Sequence, residues 1–313
     1  MNEKRRLNFL GRVSGYALLF ACLTQAGSAQ EDISRTIGDI KSSSLSYEYN
    51  SEASFFGSGT LNRRSTDVGK INEISSSASL IVSRQLSDTV LLRLGAEWEY
   101  FSFDTKTSAA IPNVVQGVDM PIGLDWQFTP AIIARIEAHP GIYSNFARVS
   151  LSQFNAPFEI GGTYFASPDL QFFAGVGVDL NRDALIPAVP AVGFRWKMAD
   201  KWVLYSMLPR PQLQYSPTDN LKFFVGGDLR DSTFRMDDEF GHTRGVKKLD
   251  NAILDYTEVR AGGGATWQVT KAIGIDLEGG CVPYRRFSFP RANYKVLATD
   301  PVPYVRVGIS AKF

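Results

Sequence analysis

The chain has 313 residues and is almost neutral, with 33 Lys and Arg against 32 Asp and Glu and a formal net charge of +1. The two signs are interspersed, which argues against a nucleic-acid partner and against a polybasic membrane patch. The sequence has 2 cysteines, Cys22 and Cys281, and Cys22 falls in a segment that we expect to be removed. We therefore expect no internal disulfide, and we interpret Cys281 as a small apolar residue.

The first 29 residues are typical of a secretory signal peptide. Lys4, Arg5 and Arg6 form a basic region, an apolar run covers 13–23, and Ala29 ends a small-residue cleavage motif. The apolar run of about 11 residues is too short for a membrane-spanning helix, which needs about 20. Lipid attachment at Cys22 is a weaker alternative. We expect residues 30–42 to be a short periplasmic segment and residues 43–313 to form one domain.

From residue 43 onward, apolar and polar side chains alternate with a period of two. In 89–101, Leu92, Leu94 and Trp98 share one face, whereas Arg93 and Glu97 share the other. The same alternation recurs in 118–128, 258–268 and 273–278. Charge is confined to one face of each segment, which is typical of β-strands that separate two different environments.

A soluble β-sandwich also alternates, but three features favour a transmembrane barrel. The segments are about 10 residues long, as tilted membrane strands require, whereas soluble strands average about 5 or 6. Short turns alternate with longer polar connections, as in bacterial barrels. Four tryptophans lie on apolar faces beside short turns, where an interfacial aromatic girdle would form: Trp126, Trp196, Trp202 and Trp267.

The turns set the predicted strand count. Short turns are expected at 85–88, 129–130, 167–169, 199–201, 217–220 and 270–271. Longer connections are expected at 57–70, 104–115, 144–156, 181–187, 236–250 and 290–300. If all short turns face the periplasm, residues 202–218 must form two strands hinged at 208–211. The fold class is then all-β, an antiparallel up-and-down transmembrane barrel of about 14 strands; 12 strands follow if 202–218 is one strand.

The stretch VPYVRVGISAKF, residues 302–313, predicts the closing strand. We expect it to pair with the first strand, 43–56, because a closed barrel leaves no unpaired backbone edge in lipid. Its apolar face carries Val305, Val307, Ile309 and Phe313. Alternating apolar residues that end in a C-terminal Phe resemble the signal that outer-membrane barrels present to their assembly machinery.

Over its mature length the chain resembles Gram-negative outer-membrane β-barrel proteins. Through PAVGFRWKMADKWVLYSMLPRPQLQYSP and LDYTEVRAGGGATWQV it is similar to a family of such barrels whose function is unassigned. The resemblance implies localisation in the outer membrane after cleavage near Ala29. It implies outer-membrane lipid, the barrel-assembly machinery and periplasmic chaperones as partners. It supplies no catalytic, metal or cofactor residues.

The alternation of side chains along each strand places a set of charged residues on the face that we expect to line the barrel lumen. The candidates are Arg93, Glu97, Glu99, Asp119, Asp125, Arg135, Glu137, Arg195, Lys197, Asp228, Arg230, Glu258, Arg260, Asp276, Glu278 and Arg306. They either line a weakly selective pore or pair with one another inside a filled barrel, and the sequence favours neither. The loop 236–250 is the best candidate for a plug, with Asp237, Asp238 and Glu239 pairing with bases on the wall.

An enzyme is the weakest interpretation, because His139 and His242 are the only histidines. We expect His139 to be a solvated residue of the lumen wall. His242 lies beside the acids of the longest loop but lacks the ligand spacing of a zinc site, so no metal or cofactor is predicted. The sequence favours a passive channel or transporter for small polar solutes. A sealed structural or interaction barrel is the alternative.

Overall fold

The structure, a computed structural model, describes residues 45–182 and 188–313. The predicted signal peptide and the segment 30–42 lie outside these residues. The described residues form one sheet of 19 strand segments. The segments are β1 Leu45–Phe56, β2 Gly59–Arg63, β3 Thr66–Ser87, β4 Val90–Thr107, β5 Val114–Asp119, β6 Ile122–Thr129, β7 Ile132–Ala138, β8 Gly141–Ser144, β9 Phe154–Asn155, β10 Phe158–Ser167, β11 Leu170–Val178, β12 Ala188–Ala199, β13 Trp202–Tyr205, β14 Gln212–Thr218, β15 Leu221–Arg235, β16 Ile253–Gln268, β17 Ile273–Phe289, β18 Tyr294–Ala298 and β19 Val302–Lys312.

The segments are antiparallel except where β15 meets β8, and they close into a barrel of 14 strands, which confirms the predicted count. Five consecutive pairs each make one barrel strand: β1 with β2, β5 with β6, β7 with β8, β9 with β10, and β18 with β19. The predicted hinge is present, because β13 and β14 are separate antiparallel strands. The predicted closure is also confirmed, since β19 pairs with β1 from Glu48 opposite Lys312 to Phe56 opposite Tyr304.

The two ends of the barrel differ in their connections. All six predicted short turns lie at one end, which we call the turn end, and Tyr47 and Phe313 exchange two backbone hydrogen bonds of 2.9 Å there. The opposite end, the loop end, carries a helical turn, α1 Phe240–Thr243, and 3-10 turns at Leu151–Gln153 and Lys247–Leu249. No helix within the described ranges is long and apolar enough to cross a membrane.

Four predicted loops at the loop end are wrong in extent. Residues 57–70, 144–156 and 290–300 contain β2, β9 and β18, and β4 continues to Thr107. Arg64 and Ser65 both have positive φ, 51° and 67°, so they form the two-residue turn that suits a tight hairpin. In these strand ends the alternation is reversed: inward side chains such as Leu61 and Val296 are apolar and buried in the core, whereas outward neighbours such as Lys295 are polar. The pattern of the belt strands, apolar outside and polar inside, therefore does not identify them. Of the predicted loop 181–187, residues 183–187 lie outside the description.

The outer face of the barrel is apolar. Alternate side chains such as Leu94, Leu124 and Leu277 are directed outward and are 45%, 39% and 56% exposed. Near the turn end, the predicted girdle residues are also exposed on this face: Trp126, Trp196, Trp202 and Trp267. Charged neighbours on the same strands, including Arg93 and Asp125, are buried inside. The period-two pattern therefore places apolar groups outside and charges inside.

The wall is unequal in height. β3 has 22 residues, whereas β13 has 4. At the loop end, Arg235 of β15 pairs directly with Ser144 of β8. This pairing bypasses the strands that lie between β8 and β15 in sequence. At the loop end, beyond the ends of the short strands, the long strands thus form a narrower barrel by themselves. The wall is shortest at β13 and β14, and we call this part the notch. The main apolar core fills this narrower part: Leu61, Ile71, Phe101, Phe103, Ala109, Ala110, Ile111, Val115, Tyr143, Phe234, Met236, Phe240, Leu249, Ala252, Leu254, Tyr256, Phe287, Phe289, Ala292, Tyr294, Val296 and Ala298.

Candidate functional site

A polar cavity of about 1300 Å³ occupies the turn-end half of the lumen. Its mouth is lined by residues of the short turns, among them Lys201, Asn220 and Lys271. Nine acids line the cavity: Glu48, Glu52, Glu99, Asp200, Asp219, Asp228, Asp231, Asp276 and Glu278. Eight bases line it as well: Arg195, Lys201, Arg210, Lys222, Arg230, Lys271, Arg306 and Lys312. The cavity is therefore rich in charged side chains but nearly neutral overall.

A network of ion pairs crosses the inner part of this cavity. Glu52 of β1 accepts from Arg306 at 2.6 Å and from Arg210 at 3.4 Å, and it also pairs with Arg230. Asp228 of β15 lies 3.2 Å from Arg210 and 3.4 Å from Arg230. Arg210 comes from the irregular hinge, so the hinge holds a guanidinium between two carboxylates of distant strands. We call these five residues the lumen ion network.

Beyond this network lies a second set of charges that is fully buried. Arg285 lies 2.8 Å from both Glu73 and Glu258, and Arg260 lies 2.5 Å from Glu258. The Tyr256 hydroxyl lies 2.8 Å from Glu73 and 2.9 Å from Glu258, within hydrogen-bond distance of both carboxylates. Two guanidiniums thus balance two carboxylates, which is what buried charges require. We call these five residues the buried ion cluster.

Aromatic side chains close the lumen above the buried ion cluster. The Tyr256 ring lies 5.1 Å from Phe101 and 5.1 Å from Phe287, and Phe103 lies 5.0 Å from Phe287. The separations are those of favourable aromatic pairs. All four rings are buried, and we call them the aromatic seal. The described residues leave the lumen polar at the turn end and apolar at the loop end.

His139 differs from its prediction as a solvated wall residue, because its side chain is buried among carboxylates. Its Nδ1 lies 3.2 Å from Asp119 and 3.4 Å from Glu97, and its Nε2 lies 3.3 Å from Glu137. The error has a physical cause. His139 lies between β7 and β8, and its strand is one of three neighbours that are interrupted beside Pro121, Pro140 and Pro157, so its surroundings come from adjacent strands.

The structure divides the predicted lumen residues into three groups. Those that line the cavity are Glu99, Arg195, Asp228, Arg230, Asp276, Glu278 and Arg306. Glu258 and Arg260 belong to the buried ion cluster. A third group lies against the wall near His139: Arg93, Glu97, Asp119, Asp125, Arg135 and Glu137. Lys197 instead lies at the turn end, where its amine is 3.8 Å from Asp200.

The predicted pairing of the loop 236–250 with the lumen wall is wrong. Arg148 of the neighbouring loop lies 3.6 Å from Asp238 and 2.9 Å from Glu239 on the surface, and Glu239 raises the pKa of the Arg148 guanidinium. Asn145 donates to Asp237 at 2.5 Å. Asp237, Asp238 and Glu239 contact Asn145 and Arg148 because the loop that carries those two residues runs beside the loop 236–250. The loop contributes apolar Phe240 and Leu249 to the core.

Several residues of these networks were missing from the predicted lumen set. Glu52 and Glu159 could have been found from the alternation of side chains along their strands. In β1 the aromatic residues Tyr47, Tyr49 and Phe55 mark the outward face, so Glu52 faces inward. In β10 the outward residues are Ile160 and Tyr164, so Glu159 faces inward. Arg285 lies beyond a register shift in the pairing of β16 with β17, which inverts the parity of the later residues. Arg210 lies in the hinge, where no period applies.

Residues 28–311 match a protein family described as "Domain of unknown function (DUF6268)". No curated protein matches the sequence. Among solved structures, the chain is similar to the toluene transporter TodX of Pseudomonas putida, with 8% identity, coverage of 85% of this chain and 89% of that chain, and a TM-score of 0.43. A deltaS2 mutant of the TodX monoaromatic hydrocarbon channel gives 9% identity, coverage of 86% and 90%, and a TM-score of 0.49. The KdgM porin in complex with disordered oligogalacturonate gives 9% identity, coverage of 86% and 99%, and a TM-score of 0.35.

Proposed function

We propose that the chain, which belongs to the DUF6268 family, is an outer-membrane channel for small polar solutes whose loop end is closed in the conformation described. The observation that carries the proposal is the polar cavity of about 1300 Å³ that opens at the turn end. Its acids and bases nearly balance, so the lumen would discriminate little between anions and cations. Neutral or zwitterionic solutes are the best match to such walls.

The outer face supports a membrane location. Its belt of exposed apolar side chains would be unfavourable in water and suits lipid, and tryptophans lie beside the short turns as in an interfacial girdle. We assign the turn end to the periplasm. Val305, Val307, Ile309 and Phe313 are exposed on the outer face of the closing strand, which supports their recognition by the assembly machinery and by periplasmic chaperones.

A sealed barrel without transport is the second candidate, and one observation favours it. The aromatic seal consists of side chains from β4, β16 and β17, which belong to the wall itself. Opening the channel would therefore need movement of these rings within the narrow part of the barrel. Removal of the loop 236–250 alone would leave the four rings in place.

Single-channel conductance of the refolded full chain in planar bilayers tests the proposal. The intact protein should show a small conductance or brief openings. A variant that truncates two seal residues, Phe103→Ala with Tyr256→Ser, should conduct more, because water can then join the cavity to the loop end. Phe224→Ala is the matched control. Phe224 lines the cavity that is already polar, so its removal should leave the conductance unchanged.

Correct folding of each variant is checked by heat-modifiable migration. A folded seal variant that remains silent would contradict the channel and support the sealed barrel. An equal rise in the seal variant and in Phe224→Ala would show that conductance reports general loosening of the barrel.

A further inference from the structure

The side chains around His139 have the geometry of ligands that share one ion. Oxygens of Glu97 and Asp119 and Nδ1 of His139 all lie within 4.8 Å of one another. The separations from Nδ1 are 3.4 Å to Glu97 and 3.2 Å to Asp119. Two atoms that each bind a tetrahedral ion at about 2.1 Å lie about 3.4 Å apart. All three side chains are buried, so their arrangement is held by the barrel.

The second nitrogen of the ring lies beside another carboxylate. Nε2 of His139 lies 3.3 Å from Oε1 of Glu137, whose other oxygen lies 3.5 Å from Nε of Arg93. The negative charge of Glu137 favours a hydrogen on Nε2, which leaves the lone pair of Nδ1 directed at Glu97 and Asp119. A carboxylate behind a metal-bound histidine fixes the tautomer in this way in many metal sites.

The surrounding charge calls for a cation. Arg135 is held by Asp125 through two bonds of 2.5 Å and 2.9 Å, and Arg93 lies beside Glu137. Among the described residues, this group contains two guanidiniums and five carboxylates, those of Glu97, Asp119, Asp125, Glu137 and Glu159, so acids exceed bases before His139 is counted. Buried charges of one sign are unfavourable unless they are paired or bind a metal.

Glu159 provides an independent observation. It lies directly opposite Glu137 in the pairing of β10 with β7, and its side chain is only 5% exposed. Its Oε2 has no hydrogen-bond partner among the described residues. A buried carboxylate oxygen without a donor, beside an acidic group, indicates that a positive ligand belongs there.

We propose that Glu97, Asp119 and His139 bind one divalent transition-metal ion of the zinc type, with Glu137 as a positioning residue behind His139. One imidazole with two carboxylates suits borderline cations, whereas magnesium and calcium prefer oxygen ligands alone. Glu99, two residues from Glu97 on the same face of β4, lines the cavity and offers a path for the ion.

The ion would join three neighbouring strands where their pairing is interrupted. Glu97 lies on β4, Asp119 ends β5, and His139 lies between β7 and β8. Pro121 and Pro140 at these interruptions have no N–H to donate, so the backbone there carries fewer hydrogen bonds. A bound ion would replace them as a cross-link, and this role does not depend on whether the barrel conducts.

The test is zinc binding by the refolded full chain in detergent, after treatment with EDTA, followed by competition with a chromophoric chelator. The intact chain should bind one Zn²⁺, and X-ray absorption should detect a single imidazole among oxygen ligands. Glu137→Gln should weaken binding by about 10–100-fold, as loss of an outer-sphere partner does. His139→Gln should weaken it by more.

His242→Gln is the matched control, because His242 is the only other histidine and also lies near acids. It should leave the affinity unchanged. Absence of stoichiometric zinc in the intact chain would overturn the proposal and leave a protonated imidazole as the cation. Equal losses in the His139 and His242 variants would also overturn it. If His139→Gln does not fold, two other measurements decide the question: the zinc affinity of Glu137→Gln and the Co²⁺ absorption spectrum of the intact chain. Weaker zinc binding by Glu137→Gln together with stoichiometric Co²⁺ binding by the intact chain supports the proposal. Unchanged zinc affinity or absence of bound Co²⁺ overturns it.

Discussion

The two halves of the lumen are built from the same strands but have opposite interiors. At the turn end, 14 strands hold the walls apart, and charged side chains surround a cavity of about 1300 Å³. At the loop end, the short strands β11 to β14 have ended, and the remaining long strands bring aromatic side chains into contact. Side chains fill a barrel when its circumference is small enough for them to meet. Wall height thus determines where this lumen is open and where it is packed.

The largest expected effect on stability is in the packed half of the lumen, at the loop end. Tyr256→Ala removes a ring of the aromatic seal and both hydroxyl contacts with the buried ion cluster. We expect a loss of about 5 kcal/mol in the free energy of unfolding, because a closed cavity remains and two buried carboxylates, Glu73 and Glu258, each lose a contact with the hydroxyl. Phe224→Ala in the cavity should lose less than about 2 kcal/mol. Denaturant titration in lipid vesicles measures both, and equal losses would contradict the division into a packed and a hydrated half.

A second comparison removes one positive charge from the buried part of the lumen and one from the exposed cavity mouth. Arg285→Ala leaves Glu73 and Glu258 buried with one guanidinium fewer, and removal of one partner from such a buried set costs about 3–5 kcal/mol. Lys312→Ala removes a charge from the exposed cavity mouth and should cost at most about 1 kcal/mol. The same vesicle titration applies. A small loss for Arg285→Ala would mean that water reaches the buried ion cluster.

A third comparison is between the inner and outer faces of the turn-end half. Leu277 is exposed on the outer face of β17, and an arginine at the middle of a bilayer costs about 2–4 kcal/mol. Ser77 lines the cavity near Glu52, so Ser77→Arg should cost less than about 1 kcal/mol. If Leu277→Arg is tolerated in vesicles as well as Ser77→Arg, the apolar outer belt does not face lipid.

The regular parts of the barrel could be predicted from the sequence because a period of two needs only local information. Strand count, the short turns and the closing pair were predicted from alternation and turn residues. Leu94 and Glu97 show why: each strand residue faces either the apolar outer surface or the lumen, and the two surroundings favour opposite kinds of side chain.

The irregular parts could not be predicted, because their neighbours come from distant strands. His139 meets Glu97 and Asp119 only after three strands are aligned, and Arg210 reaches Glu52 from an irregular hinge. The hairpin at Arg64 and Ser65 was missed for a different reason. Beyond the apolar belt the inward side chains, such as Leu61 and Ile71, are apolar and the outward ones, such as Lys70, are polar, so the pattern that identifies a belt strand is reversed.

In the proposed membrane location, the notch has a consequence for the bilayer around it. At about 3.3 Å per residue, the 22 residues of β3 extend about 70 Å along the strand, whereas the 4 residues of β13 extend about 13 Å. The apolar band of an outer-membrane barrel is about 25 Å tall. On the β3 side the wall rises far beyond this thickness, whereas at the notch the regular wall is thinner than the membrane. Such hydrophobic mismatch is relieved by local thinning, so this barrel would deform its bilayer on one side only and attract shorter-chain lipids there.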